Sequence, residues 1–397
     1  MGTLTATAFH RGLRDALVAQ EPGLFRWYSS DSYEAERRDR LGLELLRSSY
    51  RLSPETYERP YRLARDAAHN IGVDVPTVLY QLHQGEHANA GLWFARGEAN
   101  VVVSGPLLES LDDAELTALF GHELAHHRLF TLEDGTFRVA AELIEASAAH
   151  AGAGGVFIET ALRNRRWTEI FADRGAAIAA GGIAPAIACL VKVGTGLARV
   201  SATDYLDQAR EVIARLAGKD ANKGETHPEN AVRAVALELW HARGESADDE
   251  IARLVEGVVT LETLDLVQQR ELADHSRAVL DRVLAPAWMR TDATLAHARR
   301  FFPDYVWSEP AAREPPRAGP FTEYVAYVLL DFAVVDSSLG EVALARALTV
   351  AAELGARDAF TALARKELRA TAAALSQLEE RAPTLFERAA VHTELPA

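Results

Sequence analysis

Apolar residues recur at spacings of three and four from Arg11 to Ala68, which predicts helices over this stretch. VDVPTVLYQL (Val73 to Leu82) is rich in β-branched residues and predicts a strand. ANAGLWFA (Ala88 to Ala95) and NVVVSG (Asn100 to Gly105) predict two more, joined by a hairpin turn at RGEA. From Asp112 onward nearly every segment has helical periodicity. The most apolar run, Gly175 to Val193, is small-residue-rich, broken by Gly181, Gly182 and Pro185, and charged at Lys192. It is short for a membrane span and reads as a buried helix. SEPAAREPPRAGP, Ser308 to Pro320, has four prolines and little to bury, the marks of a linker. The expected fold is α+β, mainly α. An N-terminal helical segment (1–60) precedes a domain with a small sheet (61–307). The linker (308–320) and a helical C-terminal domain (321–397) follow.

Composition narrows the partners. A chain of 397 residues is long enough for two or three domains. A net charge of -15 argues against a nucleic-acid binder or a basic membrane-surface protein. Cys189 is the one cysteine, so no internal disulfide forms, and a reducing compartment fits. The first twenty residues contain no apolar core of signal-peptide length. The expected location is the cytoplasm.

The candidate chemistry centres on GHELAHHRLF, Gly121 to Phe130. LDDAELTALFGHELAHH begins a helix at Asp112, with Glu115 three residues later completing a capping box. At about 100° per residue, Leu119, His122, Glu123 and His126 fall in one sector, on the face that should be buried. Burying two imidazoles and a carboxylate among leucines costs several kcal/mol unless something satisfies them. A zinc ion does so: histidines at i and i+4 reach one metal, and the glutamate at i+1 points near the water it activates. A third ligand must come from elsewhere. The metzincin continuation, Gly then His at three-residue steps, is replaced here by Leu129 and Leu132. Glu142, Glu145, Glu159 and Glu169 lie on the following helices. WTEIFADRGAA, Trp167 to Ala177, favours Glu169, because Asp173 is one turn on along the same face and suits a residue that orients a histidine ligand.

These residues, in this order, resemble the M48 family of zinc metallopeptidases, which are gluzincins. The likeness runs from about Tyr61 to Leu239. It takes in Asn89-Ala90, VVVSGPLLESL, the metal helix, Glu169-Ile-Phe-Ala-Asp173-Arg174 and THPENAVRA (Thr226 to Ala234). The resemblance implies one Zn2+ held by His122, His126 and Glu169. It implies Glu123 as general base and proton donor, and His227 as oxyanion stabiliser. Arg233 would help hold the loop of His227, and Asp173 would support the ligands. Members of the family are often membrane-embedded, and this chain lacks the spans, so it resembles a soluble branch. ANAGLWFA, with Asn89 and Ala90, is the expected edge strand on which an extended peptide adds. The expected substrate is a peptide or protein. The competing reading is a catalytically silent scaffold on the same fold that binds peptides or a partner protein. A zinc hydrolase of a non-peptide amide is a third.

Other positions have plainer readings. His127 projects about 100° from His126 and is structural. His83 and His87 straddle a strand end and a loop, so surface or cleft-lining roles outweigh a second metal site. Tyr80, Trp93 and Trp167 line the cleft or, as aromatics more often do, the core. Cys189 is an inert core thiol. Leu329 to Gly355 faintly resembles tellurite-resistance (TerB-like) helical domains, in which Asp331, Asp336 and Glu341 are the matching acidic positions. A helix cap at Asp336 outweighs a metal role there. This tail is expected to dock a protein partner.

Overall fold

A computed structural model of the chain describes residues 4–82, 88–216, 229–257, 260–308 and 321–394. The chain forms two compact units, residues 1–267 and 268–397.

Unit one begins with helices α1 (Ala8–Gln20), α2 (Pro22–Tyr28) and α3 (Asp31–Ser48), followed by strand β1 (Ser49–Arg51) and helix α4 (Glu58–Ile71). Strands β2 (Thr77–Leu82), β3 (Asn89–Ala95) and β4 (Glu98–Ser104) complete a sheet of order β1-β2-β4-β3. β2 and β4 run parallel, and the outer pairs are antiparallel. The two strands read from 88 to 105 form the expected hairpin, and β3 is the expected edge strand. β1 was not expected. Its three residues pair with Leu82, Gln81 and Tyr80.

Period-two alternation sorts the sheet's side chains. Leu79, Val101 and Val103 face the main core; Tyr80 and Val102 face Leu45 of α3. The main core is closed by α6 (Asp113–Thr131), which follows the short α5 (Leu107–Ser110), and by α7 (Thr136–Ala149), α8 (Gly155–Ala180) and α9 (Ile183–Thr195). α10 (Ala202–Leu216), α11 (Asn230–Arg243) and α12 (Asp248–Glu256) complete the unit. α6 starts with the predicted capping box: the Glu115 N–H donates to Asp112 at 2.9 Å and the Asp112 N–H to Glu115 at 3.0 Å. The apolar run at 175–193 is two helices, not one. Gly181, at φ +75, ends α8 in the left-handed conformation, and α9 restarts at Ile183.

α6 and α8 lie antiparallel at very close range. A Cβ on Gly121 would sit 2.3 Å from Cβ of Ala179, and one on Gly175 would sit 2.4 Å from Cβ of Ala125. Only glycine leaves room at either position.

Unit two contains most of α13 (Leu266–Val283), then α14 (Asp292–Phe301), α15 (Thr322–Val334), α16 (Glu341–Glu353), α17 (Arg357–Glu367) and α18 (Ala372–Glu394). Its core joins Leu280, Leu284, Trp288 and Met289 to Phe332, Leu348 and Phe360. The expected boundary at the proline-rich segment therefore falls inside this unit, because residues 279–305 supply part of its core. Residues 309–320 themselves lie outside the described residues. Among the described residues, no helix is long and apolar enough to cross a membrane.

Candidate metal centre and cleft

Three helices and one strand edge bring the polar residues together. α6 presents His122, Glu123 and His126 on successive turns of one face. The antiparallel α8 brings Glu169 and Asp173 opposite them, and α11 adds Arg233. Nε2 of His122 lies 3.5 Å from Oε2 of Glu169, and Nε2 of His126 lies 3.8 Å from Oε1. One ligand atom from each of His122, His126 and Glu169 falls within 4.8 Å of the others. Two ligands of a tetrahedral ion with bonds of about 2.1 Å stand about 3.4 Å apart, so the two donor pairs at 3.5 and 3.8 Å are near the spacing that zinc requires. Among the described residues this is the one group of three side chains arranged to hold a metal.

The supporting contacts are equally specific. Nδ1 of His122 lies 3.1 Å from Oδ1 of Asp173, which turns Nε2 toward Glu169. Arg233 donates to both oxygens of Asp173, at 2.8 and 2.7 Å, and its other terminal nitrogen lies 3.2 Å from Glu169. Burial opposes ionisation of Asp173, but the Arg233 charge and hydrogen bonds outweigh it and hold the carboxyl below its usual range. Burial likewise opposes a charge on His122. The hydrogen bonds that its ring donates to Asp173 and Glu169 overcome it and raise the pKa to about 10. A site that holds a proton this firmly between two basic groups suits a cation. His126 is pushed down to about 4, chiefly by burial, so its ring is neutral and its lone pair available.

Glu123 is buried and accepts a hydrogen bond from the Leu92 N–H on β3. Burial, with Glu169 adding to it, lifts its pKa to about 7. The cleft beside it measures about 590 Å3. Asn89, Ala90, Gly91 and Leu92 form one wall, and Ala186, Leu190 and Val193 of α9 form the other. Cys189 lies between them, buried, and burial pushes its thiol up to about 12.

Most of the expected residues thus converge: His122, Glu123, His126, Glu169, Asp173, Asn89 and Ala90 share one cleft. Arg233 lines the same cleft and holds Asp173 and Glu169, while the loop of His227 that it was expected to steady lies outside the described residues. His227, like His83 and His87, lies outside the described residues. His127 is buried against the Phe94 ring, 5.1 Å away. Tyr80 and Trp167 are core, and Trp93 packs on the sheet face away from the cleft. In unit two the acidic trio is dispersed. Asp331 lies 3.7 Å from His297, Asp336 accepts the Ser338 N–H at 3.0 Å, and Glu341 pairs with Arg381 at 3.1 Å. Sequence reasoning missed Gly121 and Gly175 and the Arg233–Glu169 contact. The small-residue spacing Gly121-x-x-x-Ala125 and Gly175-x-x-x-Ala179 was the available signal for the first.

A small mixed sheet beside a His-Glu-x-x-His helix, with its edge strand bonded to the glutamate, defines a zincin-like fold. The family model of peptidase family M48 matches residues 58–241, the segment that holds the residues of this cleft. No curated protein matches the chain. The match begins at the first residue of α4, so α1 to α3 and all of unit two lie outside it.

Proposed function

We propose that the chain is a zinc-dependent endopeptidase, with one Zn2+ held by His122, His126 and Glu169. The observation that carries this is the half-buried His122–His126–Glu169 triangle with Glu123 beside it, opening onto the edge of β3. Zinc in that position supplies Lewis acidity toward a peptide carbonyl and toward water. Each protein group then has one task. Asp173, oriented by Arg233, fixes the His122 ring. Glu123 takes the proton from the attacking water on a carboxylate oxygen and returns it to the leaving amine. The backbone of Ala90 to Leu92 binds an extended peptide by strand addition, which reads the main chain and tolerates varied side chains. His227 donates to the developing oxyanion. The buried single cysteine suits a reducing compartment, and we place the activity in the cytoplasm. The α-helical unit two serves as a docking module for a protein partner.

The test is direct. Purified protein is expected to hold one zinc per chain and to cleave unfolded casein, and a chelator should stop cleavage. Glu123→Gln is expected to keep the zinc and lose at least about a hundredfold in rate. Cleavage by this variant at the wild-type rate would remove the assigned base, and a well-folded protein without zinc would remove the centre.

A further inference from the structure

The cleft shares two of its lining residues with a neighbouring cavity. Phe130 and Glu169 line it, and they also line a second cavity of about 540 Å3. Tyr28, Tyr33, Arg37, Glu142, Glu145 and Arg165 line this cavity, and the Tyr33 hydroxyl donates to Glu142 at 3.4 Å. The first three come from α2 and α3, which precede the segment matched by the family.

The charges in the wall neutralise one another. Arg37 lies 3.2 Å from Glu142, Arg138 donates to Glu142 at 2.7 Å, and Nε of Arg165 donates to Glu145 at 2.7 Å. A charged guest would have to compete with these pairs. An aromatic guest would not. Tyr28 and Tyr33 already stand edge to face, 4.9 Å apart, and the Tyr28 carbonyl is held by Arg138 at 3.2 Å. Aromatic rings favour such partners, and a guanidinium at the rim adds a cation–π contact.

Arg37 also determines how a peptide reaches this cavity. The Leu92 N–H points to Glu123, and alternation along a strand turns the backbone of Ala90, Leu92 and Phe94 to the same outer edge. Arg37 donates to the Phe94 carbonyl at 3.1 Å and lies 5.4 Å from that ring's centroid. Along Ala90 to Leu92 the outward N–H groups already donate to Asn89 and Glu123, so a peptide there pairs with the free carbonyls, and at Phe94 the carbonyl too is taken by Arg37. A peptide that leaves the edge at this point is beside Phe130, which lines both the cleft and the second cavity.

We propose that this cavity is a specificity subsite that takes one bulky aromatic side chain of the peptide, with Tyr28 and Tyr33 as its determinants. It rests on the endopeptidase reading. Arg37 is a positioning residue that turns the chain into it.

The experiment uses full-length zinc-loaded protein and a peptide pool varied one position at a time. Wild type is expected to prefer Phe or Tyr at one position over Ala by about tenfold or more in kcat/KM. Tyr33→Ala should bring kcat/KM for the Phe or Tyr peptide down to that for the Ala peptide while leaving zinc content unchanged. Ala141→Trp, which fills the cavity from α7 without removing a contact, should do the same if Tyr33→Ala does not fold. Cleavage with no aromatic preference, or a preference that survives both changes, overturns the subsite and leaves the peptidase reading intact. If wild type holds zinc but cleaves nothing, the peptidase reading fails. The subsite is then judged by binding of a fluorescent Phe-containing peptide to the Glu123→Gln protein. Affinity lost with Tyr33→Ala supports it, and affinity independent of Tyr33 overturns it.

Discussion

Gly121→Ala adds one methyl group next to a metal ligand, and its cost follows from the helix crossing. The new Cβ would lie 2.3 Å from Cβ of Ala179, 3.0 Å from the Gly175 carbonyl oxygen and 3.2 Å from Cα of Ala176. Two carbons in contact sit about 3.8 Å apart, so α6 and α8 must separate by an ångström or more. Overpacking of this kind costs about 1–3 kcal/mol, and the better helix propensity of alanine returns about 1 kcal/mol. The net loss is about 0–2 kcal/mol, or a melting point lower by up to roughly 8 °C for a unit of this size. The metal site should suffer more. His122 and His126 are on α6 and Glu169 is on α8, and zinc ligands tolerate only about 0.2 Å of displacement. Zinc affinity is expected to fall at least tenfold, as measured by competition with a coloured chelator. Adding Ala179→Gly removes the closest atom and should restore part of both losses. Gly42→Ala, in α3 with nothing within 4 Å, is the control and should be neutral or stabilising. Wild-type stability and zinc affinity in Gly121→Ala would show that this crossing does not set the ligand spacing.

Three further changes probe other parts of the molecule. Asp173→Asn leaves His122 poorly oriented and Arg233 without its carboxylate, so zinc affinity should drop about 10–100-fold; unchanged affinity would remove the orienting role. His10 is buried between Thr7 and Thr168, and burial, helped by Arg174 and Arg11, lowers its pKa from 6.5 to about 3. Its neutral ring favours the fold fully above pH 6.5, and this contribution fades as pH falls toward 3, because only the unfolded chain then takes a proton. The slope is about 1.4 kcal/mol per pH unit, so from about pH 7.5 to about pH 5 His10→Gln should lose about 2 kcal/mol less than wild type in urea titrations. Equal losses would contradict it. A chain ending at residue 307 keeps Leu280, Leu284, Trp288 and Met289 but loses Phe332 and Phe360, which share their core. It should aggregate on a sizing column, whereas a chain ending at 267 should run as a single species with zinc bound.

The metal helix was legible because its signals are local. Asp112 and Glu115 mark its start, and the i, i+4 spacing of His122 and His126 states its chemistry. Glu169 and Asp173 were legible for the same reason, as two acids one turn apart on an inward face. Arg233 was harder. Its partners are about sixty residues away, and nothing in the periodicity around 233 records which carboxylate it meets. β1 has three residues and exists only through its pairing with β2, so no local pattern announces it. The second boundary was misread because prolines mark where the chain bends rather than which residues share a core. Leu280 and Phe360 belong together across a proline-rich stretch. The wall made by Tyr28 and Tyr33 escaped for a similar reason: α2 and α3 look like ordinary amphipathic helices until the fold sets them beside α7.

A strand edge open enough to bind substrate is also open to another copy of the same chain, and exposed edges are common starting points for aggregation. The contact of Arg37 with the Phe94 carbonyl is matched by Arg38, which donates to the Arg96 carbonyl at 2.6 Å. Two neighbouring arginines on α3 thus occupy the far end of the edge, and the length left for pairing is too short to nucleate a sheet between molecules. Removing both charges would lengthen that edge, and the protein would associate with itself at lower concentrations than the unaltered chain.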